Sequence, residues 1–176
     1  WEGISTAELI AKAQPKSDAR YLLMTSADGF TRAIPLEKAK HPDTVLAVRM
    51  NGQLIGQQHG GPARMLVPGW YGIDSLKWVR SLEFVADIPA LRGYRRRTRS
   101  LLAGVTEGDP VSAVQVKSVF ARPLDGAVLS GRKFITRGAA WAGENAVKAV
   151  ELSVDGGKTW MAAQLAGSPQ KYCWVH

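Results

Sequence analysis

The stretch His59–Trp78, HGGPARMLVPGWYGIDSLKW, decides how this chain reads. It sets a His, an Arg, a Ser and a Lys, with two Pro and four Gly, around a short apolar run. That is too much glycine for one helix and too polar at both ends for a plain core strand. His59-Gly60-Gly61-Pro62 predicts a tight loop presenting backbone N–H groups. Arg64 follows with a rigid fork of donors. Ser75 and Lys77 come near a candidate helix start, where amides also favour anions. Gly69 and Gly72 let backbone approach a ligand closely. Each residue also has a bland reading: a lone His is usually structural, and Ser-x-Lys is common. Together the residues point to an anion or phosphorylated-cofactor site, and residue chemistry goes no further.

The remainder of the chain is globular in composition. It has 176 residues, 45% hydrophobic and 22% charged, which suits one large or two small domains rather than disorder. No run approaches the ~20 apolar residues of a membrane span. A single cysteine excludes a disulfide framework or a Cys-rich metal site. The formal charge is +8, with Arg92, Arg95, Arg96, Arg97 and Arg99 close together. The run reads as an anionic-partner patch or as a solvated loop. No interleaved aromatics offer a nucleic-acid stacking platform, so no nucleic-acid partner is expected. The chain opens on Trp1 and closes on Cys173-Trp174-Val175-His176, which we read as a piece of a longer protein.

The element pattern is α+β. Capping-box spacing at Ser5 predicts a short helix over 6–14. Strands are expected over 21–26, 30–34, 44–50, 53–55 and 82–86, with turns at Asp28-Gly29 and Asn51-Gly52. Leu36–Lys40 reads as one helical turn, and 75–80 as one or two. A basic connection over 88–110 carries the domain boundary near Gly108. Beyond it, strands are expected over 114–121, 134–137, 150–154 and 159–165, with Asp155–Lys158 as a hairpin turn and Gly138–Gly143 irregular. The expected domains are therefore 1–108 and 109–176. The second is short of the ~100 residues of an immunoglobulin-like sandwich.

The focal stretch resembles the signature of the sulfite oxidase family of molybdopterin-dependent oxidoreductases. That signature is HG-x-P-x-R, a short apolar run, PG-x-x-G, then S-x-KW. It stands here as His59–Arg64, Pro68–Gly72 and Ser75–Trp78. The resemblance extends upstream to Met50-Asn51-Gly52, and downstream to Gly138–Gly143 and Val154–Trp160, so it spans nearly the whole chain. It implies a sulfite-oxidase-type mixed α/β molybdopterin-binding domain followed by a truncated immunoglobulin-like dimerisation domain.

By the same resemblance the cofactor is Mo-molybdopterin, bound through His59, Arg64, Ser75, Leu76 and Lys77, with Tyr94 as the tyrosine near the metal. The reaction implied is oxidation of sulfite or a related small anionic sulfur compound. Electrons then pass to cytochrome c or to haem on a separate domain or partner. A homodimer and a periplasmic location are also implied. The alternative is a non-catalytic cofactor-binding or dimerisation module. No cysteine precedes His59, so no metal ligand is assigned within the chain and the thiolate is expected upstream. The family's sulfite-binding arginines are also missing upstream, and Cys173 reads as a packed structural residue. The chain alone is expected to be inactive or at best cofactor-binding.

Overall fold

Tyr21–Ser26 alternates half-buried and buried side chains along its length, the pattern of a strand with one face on a core. It forms the middle of a three-stranded antiparallel sheet. In the computed structural model, which describes residues 1–90, 112–131, 133–167 and Tyr172, the chain divides into two units, Trp1–Ser112 and Ala113–His176. Strands dominate, accompanied by two short α-helices among the described residues.

The first unit opens with β1 (Glu2–Ser5) and α1 (Thr6–Ala13). Ser5 caps α1 by accepting from the Ala7 N–H at 3.2 Å, which serves one of the orphan donors of the first turn. Gln14 ends the helix in a left-handed conformation. β2 (Tyr21–Ser26) pairs with β3 (Thr31–Pro35) through the Asp28-Gly29 turn, and on its other side with β7 (Val79–Val85). α2 (Leu36–Ala39) follows β3 directly. β4 (Val45–Met50) is the hub of a second antiparallel sheet. It takes β1 on one side and both β5 (Gln53–Leu54) and β6 (Arg64–Leu66) by further pairings. The core joins Ile10, Leu22, Met24, Ile34, Met65, Val67 and Leu76. The focal stretch is therefore tied into the core at Met65, Val67 and Leu76, and its polar residues are held between those anchors.

Beneath it lies a buried ion pair. Arg32 of β3 and Asp74 meet at 2.7 Å with both side chains fully buried. Thr6 and Thr44 knit α1 and α2 together: Thr6 Oγ1 donates to the carbonyl of Ala39, and Thr44 Oγ1 to that of Lys38 at 2.8 Å.

One expectation is corrected in this unit. The segment from Ser75 is not helical; a 3₁₀ turn covers Gly72–Asp74 and β7 begins at Val79. The reason is that Trp78 and Val79 spend their amides on the carbonyls of Gly60 and Ala63, at 3.0 and 2.9 Å. β1 and β6, by contrast, were not foreseen as strands.

In the second unit β8 (Lys117–Arg122) pairs with β9 (Arg137–Trp141), and β10 (Glu151–Leu152) with β11 (Met161–Ala162), all antiparallel. The expected strand over 134–137 is displaced into the Gly-Ala-Ala-Trp run that had read as irregular. Small residues belong there because a Cβ on Gly138 would stand 2.5 Å from the Val119 carbonyl oxygen. Ala140 and Val147 form a small core, with Ala142, Val150 and Leu165 against it.

Candidate functional site

Arg64, Ser75, Leu76 and Lys77 line one cleft of about 220 Å³ in the first unit, together with Ser26, Asp28, Phe30, Gly72, Ile73 and Trp78. Pockets for whole drug-sized ligands run to ~300–1,000 Å³, so this one has room for part of such a ligand.

Each cation is placed by backbone. Arg64 sits on β6 opposite Ala47, and one terminal guanidinium nitrogen donates to the His59 carbonyl at 3.0 Å. Its Nε is buried and has no hydrogen-bond partner among the described residues. A buried donor left unmade costs about 1–3 kcal/mol. Lys77 Nζ donates to the Gln58 carbonyl at 2.8 Å, which leaves two of its three donors uncommitted to that bond. Ser75 Oγ accepts from the Val67 N–H at 3.2 Å, and its own hydroxyl hydrogen is thereby free to point at a ligand. Leu76 is buried in the core, and its carbonyl accepts from Met65 N–H at 2.8 Å. Its part in the cleft is structural backbone rather than a polar tip.

His59 stands differently. It ends the 3₁₀ turn Gln57–His59, is exposed, and is not among the residues lining the cleft. Its contribution here is the carbonyl that holds Arg64. The loop that carries it is stitched to the other wall by Trp78, whose indole Nε1 donates to the Gln57 carbonyl at 2.7 Å. Trp78 itself adopts φ +52°, uncommon for a bulky residue. Its carbonyl accepts from Ala27 N–H at 2.9 Å, so one residue ties three loops together. Backbone strain of this kind gathers where structure over-determines a site. Gly60 closes the seam: a Cβ there would stand 2.7 Å from Lys77 Cγ, with φ at +99°. Tyr94 lies outside the described residues, as do the arginine run and Cys173.

Residue reasoning missed Asp28. Its carboxylate accepts from the Ser26 hydroxyl and from Phe30 N–H, the latter at 3.0 Å, and the Ser26 bond foremost holds its pKa below the usual value. An ionised carboxylate facing Arg64 and Lys77 makes the cleft a mixed one. It suits a ligand with acceptor oxygens at one edge and N–H donors at another. The signal was present as Ser26-x-Asp28-Gly29, but a hairpin turn explained it fully. No group of three or more His, Cys, Asp or Glu able to hold a metal occurs among the described residues.

Comparison with known proteins shows the family. Residues 1–90 match the family described as oxidoreductase molybdopterin binding domain, and residues 109–176 the Mo-co oxidoreductase dimerisation domain. Mouse mitochondrial sulfite oxidase is 33% identical over 148 residues, covering 78% of this chain and 27% of that protein. The NADPH nitrate reductase of Aspergillus niger is 29% identical over 198 residues, covering 98% of this chain and 23% of its own length. The crystal structure of the sulfane dehydrogenase SoxCD from Paracoccus pantotrophus superposes with a TM-score of 0.82 at 29% identity, over 98% of this chain and 45% of that one. The chain thus spans about a quarter of the length of these curated relatives.

Proposed function

The chain belongs to the sulfite oxidase family of molybdenum-dependent oxidoreductases, whose cofactor is Mo-molybdopterin, and from that premise we propose that it forms the pterin-holding part of a sulfite oxidase or sulfite dehydrogenase type of enzyme. The substrate proposed is sulfite or a related small anionic sulfur compound, with cytochrome c or a haem domain as electron acceptor and a periplasmic location. The relatives' names support the oxidoreductase class; sulfite over nitrate or sulfane sulfur is our choice among them. The second unit is proposed as an immunoglobulin-like unit that pairs two copies.

One observation carries the reading: Arg64, Ser75, Lys77 and Asp28 line the same cleft, two cations beside a hydroxyl and a carboxylate. Arg64 and Lys77 would hold the phosphate, as charge-assisted donors are about twice as strong as neutral ones. The Ser75 hydroxyl would donate to an acceptor on the ring, and the Asp28 carboxylate would accept from its N–H groups. Phe30 and Trp78 line the cleft and would exclude water beside those bonds, where they gain most. His59 would contribute through its loop. When bound, the cofactor supplies oxo transfer and two-electron redox chemistry. The thiolate for its metal is proposed to come from residues outside this chain.

Retention of pterin tests this. In protein produced alongside the cofactor, pterin fluorescence after oxidation is expected to fall at least about tenfold in Arg64→Ala and in Lys77→Ala, the loss of one charge-assisted bond each. Parental pterin content in both variants would sink the assignment.

A further inference from the structure

Arg64 makes the most exacting demand in the cleft, because a guanidinium reads an oxyanion only with its plane held. The bond to the His59 carbonyl is the one hydrogen bond of the guanidinium among the described residues. A second restraint arrives from across the sheet, where the Trp1 ring centroid lies 5.4 Å from Arg64 Cζ.

The local sequence takes Trp1 there. Gly3 of β1 and Arg64 of β6 both oppose Ala47, from the two sides of β4. A Cβ on Gly3 would stand 2.6 Å from Ala47 Cα, so only glycine allows this approach. The register then shifts between Glu2 and Gly3, and a shift of that kind re-aims the side chains beyond it. Trp1 remains 53% exposed and belongs to neither core cluster, so core packing does not account for where it sits.

We propose that Trp1 is a positioning residue for Arg64: its indole face holds the guanidinium plane by cation–π stacking and leaves the terminal donors not spent on the His59 carbonyl to a phosphate-class oxyanion. The choice of ligand rests on the cofactor reading given above; the stack itself does not.

The Arg64 Nε–H resonance in ¹H–¹⁵N spectra, titrated with inorganic phosphate, separates the two. In the parent it is expected to be shielded by the indole and to move with phosphate. Trp1→Leu should lose the shielding and bind phosphate about fivefold more weakly. Trp1→Phe should keep both within about twofold, and melting temperatures should agree within about 2 °C because the ring is outside the core. Parental phosphate affinity in Trp1→Leu overturns the proposal, as does a Trp1→Phe variant that weakens equally. An Arg64 signal that is unshielded in the parent overturns the stack. A shielded signal indifferent to phosphate upholds the stack and overturns the cofactor reading instead.

Discussion

Two aspartates show how far environment, rather than residue type, sets chemistry in this protein. Asp74 is fully enclosed, and burial pushes its carboxyl upward while the charge of Arg32 pulls it back. A buried pair of this sort adds little net stability, since desolvation consumes most of the attraction. Asp155 is open to solvent, yet its pKa is held at about 2, first by the Thr159 hydroxyl at 2.6 Å, then by the Thr159 amide and the Ser153 hydroxyl. Its folded pKa lies below the ~3.9 of a free aspartate, so its stabilising effect is complete above about pH 4 and disappears as pH falls through 2. The Asp155 carboxyl resonance is therefore expected to titrate near 2, and Thr159→Ala should bring the midpoint up toward ~3.9. A parental midpoint near 4 would show that the turn does not hold the carboxylate. At the same scale, Arg64, Ser75, Leu76 and Lys77 could be picked out from sequence because their spacing matched a motif, and they do converge on one cleft. Asp28 and Trp1 could not: one sat in a turn that needed no further explanation, and the other acts across a sheet pairing that no local pattern encodes.

Elements were legible where a local rule was sufficient. Tyr21–Ser26 follows from alternation, and the Asn51-Gly52 turn from residues that tolerate positive φ, here +53° and +75°. The reading failed at 75–80, where a helix-like opening is overruled by bonds to residues of the Gly60–Ala63 loop, a tertiary effect invisible to any window. The same loop yields a sharp test of glycine's two roles. At Gly61 a Cβ would collide with the Ile55 carbonyl, and backbone cannot turn aside as a side chain can. At Gly52 nothing lies within 4 Å, and only the φ of +75° is strained. Gly52→Ala is expected to cost about 1 kcal/mol and Gly61→Ala about 3 kcal/mol or more, read from urea midpoints at constant slope. Equal costs would mean that the Gln57–Gly61 loop yields easily, and a yielding loop could not hold Arg64 through the His59 carbonyl.

For the whole molecule, the two units pose opposite physical problems. The first gathers most of its large apolar residues into one core and lines a cleft with polar ones. The second leaves Phe120 61% and Ile135 80% exposed, with Val119, Phe134 and Met161 also open, around a trough of about 1,640 Å³. Apolar side chains gathered along one trough suit a partner surface, and the match of residues 109–176 to a dimerisation domain names one candidate for it. A symmetric pair would offer the same patch twice, so each substitution counts at two places. Sedimentation of the protein is expected to show a dimer at micromolar concentration, and Phe120→Asp combined with Ile135→Asp to shift it to monomer. Burying a carboxylate in such a contact costs several kcal/mol, against the ~8 kcal/mol of a micromolar association. Pterin content should be unaffected by that change, because the cleft lies wholly within the first unit. A parent that sediments as a monomer at high concentration would show that the apolar face is met by something other than a second copy. A dissociated variant that also lost pterin would show that the cleft depends on dimer contacts and is not complete within one chain.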